Sequence, residues 1–383
     1  MKKFKVAFAS GSRADYGIVR QYIKKLNNDE RIDFSLLLTG ALLDPKYGRA
    51  LDIVEEDGFS IAHKCYVSNK TEKLSDTLEI MAEVLKDFAS YFEDNSFDLL
   101  IVLGDRYEIY SISVAAAMTR IPILHIHGGE VTIANYDEFI RHSITKMSKF
   151  HFTSTEEYRR RVIQLGEDPK SVFYLGALGA ENALTIDENN VPPLLNDVND
   201  VFTILFHPET LSEKKPEEQV VILLDSIRKY SDKYRFFFIG SNADTHADVI
   251  DSRIREFVKQ NKENCLYCSN LHPDAYHFLL SKSIAIIGNS SSGIIEAPSL
   301  GCFTINIGDR QTGRVKGNSI IDVDCEECEI TKAVDWCINN KGKIKFNLPY
   351  YKKNTAQLYY EETISILNNN TGKDLKLFYD IDM

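Results

Sequence analysis

The sequence predicts an α/β protein built from two doubly wound, Rossmann-like domains. Apolar runs of strand length alternate along the chain with amphipathic segments of helix length. Strands such as Leu99–Leu103 are apolar at every position, as expected of parallel strands that are buried on both faces. The alternation stops in a polar segment rich in proline and asparagine, Leu184–Asp200, and then restarts. These three observations favour two parallel sheets in tandem.

The first domain is predicted over residues 1–183. Its strands and helices alternate in the order that a parallel sheet with crossover helices requires. The predicted strands are Lys5–Ser10, Phe34–Thr39, Leu99–Leu103, Ile123–Ile126 and Phe150–Thr155. The predicted helices are Tyr16–Asn27, Ser75–Phe92, Ile109–Thr119 and Glu138–Lys149.

A linker over 184–200 leads to the second domain, predicted over 201–349. Its predicted strands are Phe202–Phe206, Arg235–Ile239, Ile284–Ile287 and Phe303–Ile307. Its predicted helices are Val220–Tyr230, Ala247–Lys259, Asp274–Leu280, Ile294–Leu300 and Thr331–Asn339. Residues 350–383 contain a closing helix, which we expect to pack back on the first domain. Two such domains facing one another would place their ligand loops around a central cleft.

Composition excludes several classes of protein. The 383 residues include 45 basic and 56 acidic side chains, a net charge of −11, which argues against nucleic-acid binding. Hydrophobic residues make up 44% and charged residues 26%, as in a soluble globular protein. The apolar run that follows Lys5 is too short for a secretory signal, and no stretch approaches the ~20 apolar residues of a membrane helix. We therefore expect a cytoplasmic protein without a membrane segment.

The seven cysteines do not predict a metal site. Two CxxC pairs, Cys265–Cys268 and Cys325–Cys328, lie too far apart along the chain for a zinc ribbon. The first pair falls in a strand-like segment, where its side chains would face opposite ways. We expect free thiols and no bound metal.

In the second domain, the most informative segment follows the strand Ile284–Ile287. Backbone N–H groups and serine hydroxyls at a helix N-terminus can cradle a diphosphate. The candidate residues for this role are Ser290, Ser291, Ser292 and Gly293. Such a turn alone is usually only a helix cap. Glu296, about one turn into the helix, could accept hydrogen bonds from both ribose hydroxyls, so the segment favours nucleotide binding.

Other strand ends of this domain also carry polar side chains. Arg310 and Arg314 follow Phe303–Ile307 and are candidates for phosphate or sugar contacts. His207 follows another strand. A lone histidine there is more often structural, but its expected position at the cleft makes it a candidate catalytic residue.

In the first domain, Arg13 follows the first strand and offers a fork suited to a phosphate, although it could also be a surface arginine beside a helix cap. Asp105 follows Leu99–Leu103, and His127 and Glu130 follow Ile123–Ile126. Carboxylates and imidazoles at adjacent strand ends are what proton transfer at a sugar carbon requires. Asp137 opens the next helix, where it could merely stabilise the N-terminus.

Taken together, these segments resemble the UDP-N-acetylglucosamine 2-epimerases, specifically the hydrolysing members that act in bacterial sialic-acid synthesis. The resemblance covers nearly the whole chain. It rests on SGSRADYG, LGDRYE, HIHGGE, NYDEFIRHSITKMSKFH, FHPET, GSNADT, GNSSSGIIEAPSLG and NIGDRQTGR. It implies the two-domain architecture of the B-type glycosyltransferases, with the UDP-sugar in the cleft. It also implies no cofactor, no metal chemistry, and a homodimer or homotetramer.

The resemblance further implies a reaction. UDP-N-acetylglucosamine would lose UDP by elimination across C1 and C2, and water would add to the 2-acetamidoglucal to give N-acetylmannosamine. Asp105 and Asp137 match the acid–base carboxylates of the family. The residues implied to bind the nucleotide sugar are Arg13, Arg106, His207, Asn242, Tyr276, Ser290, Ser291, Glu296 and Arg310. Among them, Arg106 would neutralise the leaving phosphates and Tyr276 would cover the uracil.

Two positions depart from the family pattern. His127 stands where many relatives carry a catalytic glutamate, so the proton role passes either to His127, whose ordinary pKa suits it, or to Glu130. Thr39–Leu42 reads TGAL where relatives often have TGMH, so a histidine is missing there.

Four alternative functions remain open at this point. The same reaction could act on a UDP-2,4-diacetamido-2,4,6-trideoxy sugar of the legionaminic-acid route. The protein could be a non-hydrolysing 2-epimerase or a glycosyltransferase of the same architecture. It could also bind UDP-sugars without turning them over, a reading motivated by His127.

Overall fold

The computed structural model describes residues 3–45, 50–68, 73–132, 136–208, 214–240, 247–268, 271–369 and 376–381. The chain divides into two compact units. The first unit contains Met1–Glu130, Tyr136–Leu178 and Lys352–Met383, and the second contains Val131–Asn135 and Gly179–Tyr351. The segment 184–200 therefore groups with the second unit, and Leu195 and Val198 are buried there.

The first unit is built on a seven-stranded parallel sheet. Its strands are β1 (Phe4–Ser10), β2 (Ile32–Thr39), β3 (Ile61–Cys65), β4 (Leu99–Leu103), β5 (Ile123–Ile126), β6 (Phe150–Thr153) and β7 (Val172–Tyr174). They lie in the order β3-β2-β1-β4-β5-β6-β7, and every pair is parallel. The direction of winding reverses between β1 and β4, which makes the loops after these strands the expected ligand position.

Helices cover both faces of this sheet. They are α1 (Arg13–Asn27), α2 (Ala50–Glu56), α3 (Leu74–Asp94), α4 (Tyr107–Met118), α5 (Asp137–Met147) and α6 (Glu156–Gln164). Strand β4 shows how one apolar run serves two cores, because alternate side chains face opposite ways. Leu99, Ile101 and Leu103 join one buried cluster, whereas Leu100 and Val102 join the other.

The second unit repeats this plan with six parallel strands. They are β8 (Val201–Leu205), β9 (Phe236–Ile239), β10 (Cys265–Cys268), β11 (Ser283–Gly288), β12 (Phe303–Ile307) and β13 (Ile320–Val323), in the order β10-β9-β8-β11-β12-β13. The helices are α8 (Pro216–Arg228), α9 (Ala247–Gln260), α10 (Pro273–Lys282), α11 (Ser291–Ile295) and α12 (Glu327–Asn340), while the short α7 (Leu178–Asn182) lies where the chain passes between the units. The switch point lies between β8 and β11.

The last helix, α13 (Thr355–Asn369), returns to the first unit. Tyr359 is fully buried there and donates a hydrogen bond of 2.8 Å from its hydroxyl to the carbonyl of Gly176. Tyr22 of α1 and Thr363 of α13 share a buried hydroxyl–hydroxyl bond of 2.7 Å. These contacts make α13 part of the first core.

The structure differs from the sequence-based prediction mainly at edges and breaks. Strands β3, β7 and β13 and helices α2, α6 and α7 were not predicted. The helix predicted over Ile294–Leu300 consists of α11 followed by a 3-10 turn over Ala297–Leu300, because Pro298 lacks the N–H that would continue an α-helix. None of the helices that the structure describes has the length and apolar composition needed to cross a membrane.

Candidate functional site

Three adjacent strands of the first unit bring most of its candidate residues to one edge of the sheet. Strands β1, β4 and β5 are neighbours, and their carboxyl ends point the same way because all pairs are parallel. Arg13 follows β1, Asp105 and Arg106 follow β4, and His127 follows β5. The strand order, which the sequence alone did not give, therefore places these loops side by side.

Arg141 of α5 links two of these loops. Its Nη2 donates to Asp105 Oδ2, and its Nη1 donates to the carbonyl of His127 at 3.1 Å. Arg141 is only 3% exposed, so a charge-neutralising partner is required at that position. No sequence motif indicated a role for Arg141, although its spacing of four residues from Asp137 places both on one face of the helix.

His127 has an unusual backbone conformation for a residue with a side chain. Its φ is +67°, in the left-handed region that costs roughly 1–2 kcal/mol for residues other than glycine. The N–H of His127 donates to the carbonyl of Phe152 at 2.9 Å, and Arg141 donates to the carbonyl of His127. Such strain, held by bonds on both sides, is typical of functional positions.

The imidazole of His127 is directed towards a buried carboxylate. His127 Nδ1 lies 3.7 Å from Glu130 Oε1, and the residues are 7% and 2% exposed. Glu130 Oε1 also accepts a hydrogen bond of 2.6 Å from the hydroxyl of Ser154, which fixes the carboxylate. The geometry allows Glu130 to stabilise a protonated His127.

A second histidine nearby has a structural position. His125 Nε2 bonds the carbonyl of Gly104 at 2.8 Å, and its Nδ1 bonds Thr145 Oγ1 at 3.1 Å. Burial lowers the pKa of His125 to about 3, so the ring is neutral at physiological pH. It ties the loop after β4 to helix α5.

The remaining candidates of the first unit begin helices. Asp137 is the first residue of α5 and is partly buried. Arg13 is the first residue of α1, whose N-terminus is capped by the hydroxyl of Ser12, which accepts from the N–H of Asp15 at 3.1 Å. Burial lowers the pKa of Arg13.

In the second unit, the serine-rich segment forms a capped turn after β11. The hydroxyl of Ser290 accepts from the N–H of Ser292 at 3.3 Å at the start of α11. Gly293 lies against β12, where a Cβ would lie 2.7 Å from Thr304 Cγ2, and its carbonyl accepts a bond of 2.5 Å from Thr304 Oγ1. Only glycine fits this close approach of helix and strand.

Glu296 lies in a network that involves a residue the sequence analysis missed. Its Oε2 accepts from Ser292 Oγ at 2.8 Å and is bonded to His277 Nε2 at 3.1 Å. Tyr276 joins through its hydroxyl, which lies 2.8 Å from Ser292 Oγ, and its pKa is raised by burial and by the charge of Glu296. Two partners use both lone pairs of Oε2. Oε1 faces Gly179, where a Cβ would lie 3.2 Å away.

Asn289, which sequence analysis also passed over, ties three strand-end loops of this unit together. Its Oδ1 accepts from the N–H of His207 at 2.8 Å, and its Nδ2 donates to the carbonyl of His207 at 2.9 Å. Its own carbonyl accepts from Arg310 Nη1 at 3.0 Å and Gln311 Nε2 at 2.9 Å. The loops after β8, β11 and β12 are therefore held in one arrangement.

Three further predictions have simpler outcomes. Arg314 Nε donates to the carbonyl of Val131 at 3.1 Å, and Ser291 begins α11. Asn242 lies outside the described residues. Within the described part of the chain, no group of three or more histidine, cysteine, aspartate or glutamate side chains could hold a metal ion.

Known sequences place these observations in a family. A model of the UDP-N-acetylglucosamine 2-epimerase family matches residues 24–362. Polysialic acid biosynthesis protein P7 of Escherichia coli is 44% identical, over 98% of this chain and 97% of that protein. The hydrolysing UDP-N,N'-diacetylbacillosamine 2-epimerase of Legionella pneumophila is 31% identical, over 93% of this chain and 94% of that protein.

Solved structures agree on the fold. The UDP-N-acetylglucosamine 2-epimerase of Neisseria meningitidis, bound to UDP-N-acetylglucosamine, matches with a TM-score of 0.77 at 18% identity, over 94% of this chain and 100% of that one. The enzyme of Methanocaldococcus jannaschii, in complex with UDP-N-acetylglucosamine and UDP, also gives 0.77 at 18% identity, over 96% and 100%. The likeness confirms the predicted fold class, two α/β domains of the B-type glycosyltransferase kind. The chain therefore belongs to the UDP-N-acetylglucosamine 2-epimerase family.

Proposed function

We propose that the protein is a hydrolysing 2-epimerase, which converts UDP-N-acetylglucosamine and water into N-acetylmannosamine and UDP in a route to sialic acid. The observation that carries the proposal is the arrangement around Arg141, which holds the Asp105 carboxylate and the His127 backbone together at the carboxyl edge of the first sheet. The similarity to a polysialic acid biosynthesis protein supports the route, and the matching family model supports the sugar.

The first step is an elimination. A base removes the proton from C2 of the sugar, the C2–H electron pair forms the C1=C2 double bond, and the C1–O bond breaks towards the diphosphate. UDP leaves and 2-acetamidoglucal remains. We assign the acid–base roles to Asp105 and Asp137, which match the carboxylates of the family. Arg141 holds the Asp105 carboxylate at the carboxyl edge of the sheet, where we expect it to meet the sugar.

The second step is an addition of water that leaves C2 with the configuration opposite to that of the substrate. The oxygen of a water molecule bonds to C1, and an acid delivers a proton to C2 on the other face. The water gives one proton to a base and keeps the other in the new C1 hydroxyl. The products are N-acetylmannosamine and free UDP, which balances the overall equation.

We assign the family glutamate's proton role to His127 rather than Glu130. Glu130 Oε1 already accepts a hydrogen bond from Ser154 and faces Nδ1 of His127, so it is less suited to reach a substrate. Because Nδ1 of His127 faces Glu130, its Nε2 is directed away from that carboxylate. In this arrangement Glu130 orients the ring and His127 exchanges the proton. Replacing His127 by asparagine should lower kcat sharply in a product assay while UDP still binds. Glu130→Gln should lower kcat less, and an unchanged kcat in both variants would contradict the assignment.

The second unit is assigned to the nucleotide. Ser290, Ser291 and Gly293 lie at the turn after β11, where backbone N–H groups suit a diphosphate. We assign Glu296 to the ribose hydroxyls, through Oε1 because Oε2 already bonds Ser292 and His277. We include His207, Tyr276, Arg310 and Arg314, with Asn242, among the residues that contact the nucleotide sugar, and Arg13 and Arg106 of the first unit among those that neutralise its phosphates.

Incubation with UDP-N-acetylglucosamine in D₂O tests the proposal. We expect UDP and N-acetylmannosamine in equal amounts, with one deuterium at C2 of the product. UDP-N-acetylmannosamine as the only product would instead establish a non-hydrolysing epimerase. UDP release that depends on an added acceptor would indicate a glycosyltransferase. Binding without turnover, unchanged by Asp105→Asn, would indicate a UDP-sugar binder.

A second substrate deserves direct comparison because two relatives, at 32% and 31% identity, are diacetylbacillosamine 2-epimerases. Side-by-side kcat/KM values for UDP-N-acetylglucosamine and the UDP-2,4-diacetamido-2,4,6-trideoxy sugar decide between them. We expect the first to be preferred.

Light scattering on the purified protein tests the homodimer or homotetramer that we propose from the family resemblance.

A further inference from the structure

Glu108, in the first unit, is a buried acid that the assignments above do not use. It is the second residue of α4 and has no exposed surface. An acid in the first turn stabilises a helix electrostatically, but that role is available to an exposed side chain and does not require burial. Burying a carboxylate costs free energy unless it is paired, so its position calls for another explanation.

The loops after β1 and β2 are shaped around this carboxylate. At Gly40, whose φ is +61°, a Cβ would lie 2.7 Å from Glu108 Oε1 and 3.0 Å from the carbonyl of Gly11. At Gly11, a Cβ would lie 3.4 Å from Arg106 Nε and 3.7 Å from Glu108 Oε1. The N–H of Leu42 donates to the carbonyl of Gly11 at 3.1 Å, which holds the two loops together. The carboxylate therefore occupies space that a side chain at Gly40 would fill.

The partner of Glu108 is Arg106, the last residue before α4. Arg106 Nη2 donates to Glu108 Oε1 at 2.7 Å, while the Arg106 side chain is still 34% exposed. Burial alone would lower the pKa of Arg106, but the charges of Glu108 and Asp15 raise it above its ordinary value. The guanidinium thus stays charged and is held through Nη2, while about a third of the side-chain surface of Arg106 remains exposed.

The cluster is not arranged for maximum stability. In the part of the chain that the structure describes, Asp15 Oδ2, Arg106 Nε and Glu108 Oε2 are buried without a hydrogen-bond partner. Each unsatisfied buried polar atom costs about 1–3 kcal/mol. A buried ion pair with unsatisfied atoms is weak support for folding, and its retention is better explained by a requirement on where the arginine lies.

We propose that Glu108 is a positioning residue, which fixes the guanidinium of Arg106 at the carboxyl edge of the first sheet so that it can receive the diphosphate of the nucleotide sugar. The inference rests on the proposed function, because it takes a UDP-sugar as the ligand. A long arginine side chain loses rotamer freedom when it binds a phosphate, and fixing it beforehand removes much of that cost. Gly40 is part of the same device, because it leaves room for the carboxylate.

A double-mutant cycle tests the proposal through UDP affinity, measured by titration calorimetry. Glu108→Gln removes the charge and keeps the shape, and Arg106→Met removes the guanidinium and keeps much of its apolar stem. We expect Glu108→Gln to weaken UDP binding by about tenfold alone, but by less than about twofold when Arg106 is already methionine. A purely structural role would lower the melting temperature and reduce affinity equally in both backgrounds. Equal losses, or an unchanged affinity for Glu108→Gln alone, would overturn the proposal.

A pair of glycine variants decides the question if Glu108→Gln does not fold. Gly40→Ala forces a Cβ against Glu108 Oε1, whereas Gly58, with a comparable φ of +72°, has nothing within 4 Å of its Cβ position. Both variants place alanine at a similar positive φ, but only Gly40→Ala meets the carboxylate, so we expect only Gly40→Ala to weaken UDP binding. Equal effects would overturn the positioning role. If the wild type and both variants bind UDP normally, the positioning role is overturned and the proposed function stands. If the wild type fails to bind UDP, the positioning role and the proposed function are both overturned.

Discussion

Replacing His277 by leucine should weaken the binding of UDP through its ribose. His277 Nε2 is one of two partners of Glu296 Oε2, at 3.1 Å, and Ser292 Oγ is the other, at 2.8 Å. Leucine fills a similar volume but cannot hydrogen-bond. The carboxylate would then be tethered on one side only, and its Oε1 would no longer be held towards the ribose.

The size of the effect follows from these contacts. A hydrogen bond to a charged group contributes about 1.5–3 kcal/mol. Because the bond from Ser292 remains, we expect a loss near the lower end, about 1.5 kcal/mol, which is roughly a tenfold increase in Kd. His277→Gln retains an N–H donor of comparable reach, so it should recover most of the affinity.

Calorimetric titration with UDP and with 2′-deoxy-UDP separates this explanation from a general loss of structure. The deoxynucleotide lacks one hydroxyl that Glu296 would bind, so its affinity should fall less in the leucine variant than that of UDP. The same fold loss for both nucleotides would refute the reasoning, since His277 would then support the shape of the unit rather than the orientation of the carboxylate.

Three other outcomes are expected. Asp105→Asn and Asp137→Asn should each abolish turnover in a product assay while UDP still binds within about threefold of the wild type, and retained activity in both would refute their acid–base roles. Glu167 is buried beside Lys146, 2.6 Å from its Oε1, and His151, 3.0 Å from its Oε2. Burial raises the pKa of Glu167, but these contacts outweigh burial and lower the pKa to about 2, below the ordinary 4.5. Its ionisation therefore stabilises the first unit above about pH 4.5, and the contribution is lost as the pH falls through about 2. Chemical denaturation of Glu167→Gln should show lower stability at pH 7 and a weaker loss in acid; parallel pH curves would contradict this. Gly288 has φ +151° and a Cβ position 1.9 Å from a β8 carbonyl, so Gly288→Ala should cost more than about 4 kcal/mol of unfolding free energy. Gly301 has φ +75° with nothing within 4 Å of its Cβ position, so Gly301→Ala should cost only about 1–2 kcal/mol. Thermal melts would show the difference.

Central strands were predictable because their runs of apolar residues indicate burial on both faces. Leu99–Leu103, Ile123–Ile126 and Phe303–Ile307 are observed with the predicted bounds. Strand β3 was missed because it lies at the edge of its sheet, where His63 and Lys64 interrupt the apolar pattern. The same patterns located the loops that carry Asp105, His127 and the serine-rich turn, since polar residues directly after apolar strands mark the carboxyl edge of a parallel sheet.

Side chains within helices were harder to interpret. Arg141, Glu108 and His277 all lie on helices, where a charged or polar residue is usually a solvent-facing one. The structure buries all three beside a candidate site residue: Asp105, Arg106 and Glu296 respectively. Periodicity gives the face of a helix on which a residue lies, but not whether that face meets a carboxylate.

The sequence by itself therefore determined the fold class, the family and the loops that bear the candidate groups, because strand burial and strand-end motifs are local properties. The tertiary structure decided the order of the strands, which places the loops after β1, β4 and β5 side by side. It also decided which partner holds each functional side chain, and that His127 adopts a left-handed backbone. These features depend on contacts between residues far apart in the chain, whose energies no local pattern records.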